Sequence, residues 1–294
     1  LCMEKRIRKI GDCYTKFGLK HSSKSQNTIP DDIRFRNYIV MSPKEKMNMP
    51  KNCSFEGGTL EHELVQMHYT ENKTLEEAKA SEIIQDRINN YSPVDEKDKI
   101  KFEHIVERLI PVAQNHLDNV GELPKQKWKA ELEYTHWDDR IQTYFLSYVD
   151  LIGETHFGDI KNVFGTLVKT KAGYSYTKKK TPLVPYHSDC LQIALYQKLL
   201  PNLKPFLTYA SCSDKRIFTP ENCTELRPES LEHYYDELVL YQRCWEKKLE
   251  FADGNIETLA LLSKPDFSEL RKNSFWWKGT DPAVIKRFKG YYGF

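Results

Sequence analysis

The hydrophobic positions of this chain change period twice. From about residue 58 to 119, apolar side chains recur three and four apart, which is helical spacing. Between 129 and 163 they alternate with polar residues in runs rich in Tyr, Phe, Val and Ile, which is strand spacing. From 188 the helical period returns. The pattern predicts a helix opening near 58, with Thr59 as its N-cap and Glu61 and Glu63 near the positive end of the helix dipole. A charged helical stretch is predicted over 75–90. Another is predicted over 95–119, with Phe102, Ile105, Val106, Leu109 and Val112 at helical spacing and a kink at Pro111. Pro124 marks a break. Strands are predicted over 129–134, 140–152 and 157–163, and 165–181 holds a further strand pair or a loop. A helix over 188–200 follows, with Leu191, Ala194, Leu195 and Leu199 in period, then a strand over 207–211 and an amphipathic helix over 228–249 with Ser230 as a cap. This order predicts an α/β (α+β) core with one central mixed β-sheet flanked by helices.

The two ends read differently. Residues 1–52 are polar and basic (Lys5, Arg6, Arg8, Lys9, Lys20, Lys24), with turn formers around Pro30, Asp31 and Asp32, and read as an irregular or partly helical arm. The tail over 265–294 is aromatic, with Trp276, Trp277, Tyr291, Tyr292 and Phe294. The expected organisation is an arm over 1–52 and a single domain over 53–294. That domain comprises a helical region over 58–120, a sheet and helix over 128–211, and a closing helix and tail over 228–294.

Composition narrows the class without naming it. The 294 residues are 39% hydrophobic and 29% charged, with a formal net charge of +2. No global basic field marks a nucleic-acid binder, so any such binding must come from a local patch. The seven cysteines are odd in number, widely spaced and without a C-x-x-C pair, which argues against a disulfide framework or a zinc ribbon. Reduced thiols in a cytoplasmic protein are expected. Asn52, Asn72 and Asn222 stand in glycosylation sequons by chance, and no apolar run approaches the length of a membrane span.

The segment from Tyr148 to Lys161 carries the candidate chemistry. Read as a hairpin turning at Glu154 and Thr155, it pairs Ile152 with Phe157 and sets Asp150 opposite Asp159. Opposed side chains share a face, with Cβ atoms about 4.5–5.5 Å apart. Lys161 lies on the face of Asp159, while Ile160 points the other way. Two opposed carboxylates repel unless a divalent cation lies between them, and Mg²⁺ or Mn²⁺ prefers such hard oxygen ligands. A nearby lysine then orients water or stabilises charge on a phosphate. Two helical features accompany the hairpin. His62 faces away from the Leu60, Leu64 and Met67 stripe. Gln192 and Tyr196 share a helix face at i and i+4.

Gly58-Thr59-x-x-His62 on a helix, Asp150 on a strand, Asp159-x-Lys161 on the next and Gln192-x-x-x-Tyr196 on the following helix resemble the motif series of RecB-like exonucleases of the PD-(D/E)XK nuclease superfamily, which include many phage exonucleases. The resemblance covers roughly residues 56 to 200. It implies a metal-dependent DNA exonuclease in replication, recombination or repair. His62, Asp150, Asp159 and the Ile160 carbonyl would bind Mg²⁺ or Mn²⁺, and Asp150, Asp159 and Lys161 would be catalytic. Gln192 and Tyr196 would steady the site and contact the DNA strand. Glu131 or Glu133 is a further candidate acidic ligand. Two positions depart from the family pattern: Ser147 where Gly is frequent, and Asn162 where Thr or Ser is usual. Some relatives carry a four-cysteine iron–sulfur cluster. Cys190, Cys212, Cys223 and Cys244, spaced by 22, 11 and 21 residues, do not match it, so no cluster is expected.

Lys169, Lys171, Lys178, Lys179 and Lys180 surround Tyr174 and Tyr176, and are expected to grip single-stranded DNA beside the site. Trp276 and Trp277 are a stacking platform or core. The helices over 75–120 are a candidate arch over the site. The alternatives are a structure-specific endonuclease or recombination nuclease subunit, and an inactive DNA-binding protein on the same fold. Protein partners and polarity of digestion are not readable.

Overall fold

The computed structural model describes residues 9–171, 173–272 and 276–294. Lys5, Arg6 and Arg8 of the basic arm lie outside the described residues. The fold is mixed α/β, with a central mixed sheet flanked by helices. Its strands are β1 (Lys129–Trp137), β2 (Tyr144–Ile152), β3 (His156–Asn162), β4 (Thr166–Thr170), β5 (Gly173–Thr177), β6 (Lys204–Ala210) and β7 (Lys215–Phe218). The central sheet has the order β1-β2-β3-β6-β7, and β4 and β5 form a separate hairpin. β3 runs antiparallel to β2 and parallel to β6, with Asp159 beside Leu207 and Lys161 beside Tyr209. A parallel pair needs a crossover. Here the β4–β5 hairpin and the helix His187–Leu199 supply it.

The chain divides into two compact units, and the division falls within β1, β2 and the helix Pro228–Ala252. One unit comprises Pro50–Tyr134 and Tyr148–Tyr234. Its core joins Leu60, Leu64 and Val65 of the helix Cys53–Glu71 to Ile105, Leu109, Leu151, Ile160 and Phe206. The helix begins at Cys53 rather than at 58, because the Asn52 side chain caps it by accepting from the N–H groups of Ser54 and Phe55. Gly57 and Gly58 are therefore interior. A Cβ on Gly57 would stand 2.5 Å from Ile105 Cγ2, so this helix crossing needs glycine. The stretch expected as one helix over 95–119 is two, Glu96–Glu107 and Leu109–Val120. Pro111 has no N–H for the Glu107 carbonyl, so the ladder is interrupted at Arg108 instead of merely kinked. Likewise 75–90 forms two helices, Leu75–Lys79 and Glu82–Asn89. All of these helices bury apolar residues against the Cys53–Glu71 helix, as a packed layer and not a free-standing arch.

The other unit gathers the residues up to Met49 with Thr135–Ser147 and Tyr235–Phe294. The segment expected as an irregular or partly helical arm forms short helices between Asp12 and Met47, and it buries Tyr14, Ile33 and Phe35 with Trp245, Leu249, Trp277 and Phe288. Arg34 lies over the Trp245 ring at 4.4 Å and Arg36 over Trp277 at 4.6 Å, so two buried guanidiniums are held on aromatic faces. Trp277 is 1% exposed and belongs to this core, which removes it as a stacking platform; Trp276 is partly exposed.

Candidate active site

The β2–β3 hairpin sets the site. Gly153 N–H donates to the His156 carbonyl at 2.7 Å, leaving Glu154 and Thr155 as the turn, and Ile152 pairs with Phe157 and Leu151 with Gly158. Gly158 has to be glycine, since a Cβ there would meet the Phe206 carbonyl oxygen of β6 at 2.5 Å. Continuing this register brings Asp150 to Asp159. Asp150 Oδ2 accepts the Ile160 N–H at 2.8 Å, which ties the carboxylate to the backbone between Asp159 and Lys161. Both carboxylates are buried, Asp159 at 1% exposure. Burial first, and then the charge of Asp150, push the Asp159 carboxyl up to about 7, against the pull of Lys161. Burial likewise raises Asp150, opposed by Lys161 and by the Ile160 N–H.

Lys161 Nζ stands 2.5 Å from Asp159 Oδ2 and donates to Gln192 Oε1 at 3.0 Å. Burial pulls its ammonium down, but Asp159, Asp189 and Asp150 outweigh burial and hold it above the usual lysine range. Gln192 Nε2 donates to the Tyr196 hydroxyl, which donates to the Tyr148 carbonyl of β2. The helix His187–Leu199 thus positions the lysine and pins the neighbouring strand. Tyr196 is 1% exposed, so it serves as a support, and direct contact with DNA is closed to it.

His62 comes from the Cys53–Glu71 helix. Its Nε2–H donates to the Ile160 carbonyl at 2.9 Å, and its Nδ1 lies 3.8 Å from Asp150 Oδ2. The four motif positions expected to meet therefore do meet. Of the two candidate acids on β1, Glu133 accepts from the Tyr148 hydroxyl at 2.7 Å. Glu131 is the one whose charge Asp150 feels. Its backbone is left-handed (φ 47°), an uncommon conformation for a residue with a side chain.

Several polar residues escaped the sequence reading. Glu61 and His116 are fully buried 3.7 Å apart. His116 Nε2 is 3.2 Å from Asn162 Oδ1, and its Nδ1 is 3.0 Å from Thr208 Oγ. Burial pushes Glu61 up to about 7 and His116 down to about 3, so the imidazole is neutral. Asn162 is the residue that joins His116 to β3. Asp189 accepts from the Tyr209 hydroxyl at 2.6 Å and helps hold Lys161 charged. One signal was available for it: Asp189 precedes Gln192 by three residues on the same helix face.

The donor set suits a hard divalent cation. Two buried carboxylates face each other, and Asp159 Oδ1 has no hydrogen-bond partner among the described residues. Such an orphaned buried oxygen costs about 1–3 kcal/mol, which a bound cation would offset. The His62 imidazole and the Ile160 carbonyl oxygen, 2.9 Å apart, would be its further donors, with the imidazole giving up its hydrogen bond to that oxygen. Among the described residues, no three His, Cys, Asp or Glu side chains converge closely enough to form a shell by themselves. Water or phosphate oxygens would complete it, as is usual for Mg²⁺.

No family model and no curated protein matches the chain. Among solved structures it is similar to one from a bacterium. That is the crystal structure, at 2.19 Å resolution, of a protein from Eubacterium rectale described as a "putative exonuclease". The identity is 14% and the TM-score 0.47, over 82% of this chain and 84% of that one.

The expected DNA grip spans the β4–β5 hairpin and the segment after it, where Lys178, Lys179 and Lys180 follow the end of β5. Lys169 pairs with Tyr174 and Leu167 with Tyr176. Lys169, Lys171, Tyr174, Lys178, Lys179 and Lys180 are exposed. Tyr176 is not free to stack on a base. Its hydroxyl accepts the Gly165 N–H at 2.6 Å, and Arg108 and His104 cover its ring. No helix among the described residues is long and apolar enough to cross a membrane.

Proposed function

We propose that this chain is a metal-dependent DNA nuclease of the RecB-like PD-(D/E)XK kind, working as an exonuclease on single-stranded ends with Mg²⁺ or Mn²⁺. One observation carries the reading: Asp150 and Asp159 meet on adjacent strands, with the Lys161 ammonium held between Asp159 and Gln192. His62, Asp150, Asp159 and the Ile160 carbonyl would hold the cation, which when bound polarises the phosphoryl group and acidifies water. Lys161 stays charged at neutral pH, so it acts as a cation and not as a base. It orients the attacking water and stabilises the charge that builds on the phosphate oxygens. Gln192 and Tyr196 fix its position. The exposed lysines of the β4–β5 hairpin neutralise strand phosphates. The preference for ends follows from the family resemblance.

The test is digestion of end-labelled linear and circular single-stranded DNA with Mg²⁺, Mn²⁺ or EDTA, comparing wild type with Lys161→Ala. The expected result is metal-dependent shortening of the linear strand, sparing of the circle, and a loss of roughly 10²-fold or more in the variant. Cleavage of circles as fast as linear strands would replace the exonuclease with an endonuclease. No cleavage by folded wild type with either metal would overturn the nuclease reading.

A further inference from the structure

A second feature of the Pro50–Tyr134 and Tyr148–Tyr234 unit has no part in the chemistry above. A cleft of about 950 Å³ opens between the end of the Cys53–Glu71 helix and the segment leading into β1. Its walls include Tyr69, Asn72, Lys125, Lys127, Trp128 and Lys129. The lysines are exposed and alternate with half-buried Gln126 and Trp128. None of the three makes an ion pair among the described residues. Trp128 is anchored from behind, its ring 5.6 Å from Phe206 and 6.1 Å from Tyr69. The segment is fixed to the β2–β3 turn, where Gln126 Oε1 accepts from Thr155 N–H at 2.9 Å and from its hydroxyl at 3.1 Å.

Two elements carry cleft residues and candidate-site residues together. Tyr69 lies seven residues beyond His62 on one helix, about 10 Å at 1.5 Å per residue. Lys129 is two residues from Glu131 on β1, and the Glu131 charge reaches Asp150. Three unpaired lysines beside a rigid aromatic ring match a chain of phosphates carrying stackable bases.

We infer that this cleft is a second single-stranded nucleic-acid site, which takes phosphates on Lys125, Lys127 and Lys129 and a base against Trp128. It holds nucleotides on one side of the scissile bond, while the β4–β5 hairpin is a separate contact. The inference rests on the nuclease reading, and binding without cleavage separates the two.

The experiment measures fluorescence anisotropy of a labelled oligothymidylate in EDTA over a salt series, with the full chain. Replacing Lys125, Lys127 and Lys129 together by Ala should weaken binding about tenfold and reduce the salt slope by about 2, at roughly 0.7 per phosphate contact. Trp128→Leu should weaken binding with the slope unchanged. Trp128 packs on Phe206 and its variant can misfold, so the exposed lysine set is the deciding variant, checked by its melting curve. Unchanged affinity and slope in the lysine variant, with wild type binding normally, would overturn the cleft and leave the nuclease reading standing. Tighter binding of polyglutamate than of oligothymidylate at these lysines would assign the cleft to an acidic protein segment and also overturn it. Failure of wild type both to bind single strands and to cleave them would overturn both.

Discussion

Asp150 Oδ2 accepts the N–H of Ile160 at 2.8 Å, so a side chain of β2 takes up a backbone donor of β3 where the paired register ends at Leu151 and Gly158. The contact locks the two carboxylates of the candidate site together against their own repulsion. Without a cation, the arrangement holds an orphaned oxygen on Asp159.

Mg²⁺ or Mn²⁺ is therefore expected to raise Tm, by a few degrees at saturating metal. Asp159→Asn should lose that dependence, and EDTA should reverse it in wild type. Thermal scans of both proteins with and without metal check this. A Tm rise of equal size in Asp159→Asn would place the cation elsewhere.

Tyr196 is a support, so its effects should divide accordingly. Tyr196→Phe removes the hydroxyl that donates to the Tyr148 carbonyl and accepts from Gln192 Nε2. The expected cost is about 1–3 kcal/mol of stability. It should lower kcat about tenfold as Lys161 loosens, with KM for DNA nearly unchanged because the ring is buried. A raised KM with kcat unchanged would instead make Tyr196 a DNA contact.

Lys178, Lys179 and Lys180 are exposed and should act through charge alone. Changing all three to Ala should weaken single-strand binding and cut the salt slope by about 2. The measurement is anisotropy across a salt series, and an unchanged slope would remove this segment from the interface.

His116 gives the pH dependence. Its folded-state pKa is pushed down to about 3 by burial, from an ordinary 6.5, so the unfolded chain binds the proton first. Its contribution to stability is complete above about pH 6.5 and is lost as pH falls toward 3. Glu61, raised to about 7, works in the opposite direction and is present in both proteins. The stability advantage of wild type over His116→Gln should therefore shrink between pH 7 and pH 4.5, by roughly 1.4 kcal/mol per pH unit at most. Denaturant midpoints at several pH values check it, and a constant difference would show that His116 already takes a proton in the folded state.

Much of the site was legible because it depends on neighbours in the chain. A two-residue turn and a period of two fix the β2–β3 register, so Ile152 opposite Phe157 follows from the sequence, and with it the meeting of Asp150, Asp159 and Lys161. The i, i+4 spacing likewise puts Gln192 and Tyr196 on one helix face. Boundaries were less legible where a distant residue decided them. Gly58 looks like a helix start, yet the Asn52 cap places it inside the helix, and its neighbour Gly57 packs against Ile105, nearly 50 residues away. The short strand β7 has no period long enough to read, and it forms by pairing with β6.

The sequence by itself determined the sheet-and-helix order, the β2–β3 hairpin and the residue types brought to it, since turn chemistry and periodicity act over a few residues. Only the tertiary structure decided which polar groups are deprived of water. Glu61, His116 and Asn162 come from two helices and a strand to form one buried cluster. Tyr176 lies under Arg108, and Trp277 is in a core with the N-terminal residues. Burial is a property of the packed molecule. It raises the Asp159 carboxyl, and the carboxylates that packing gathers around Lys161 keep its ammonium charged against burial.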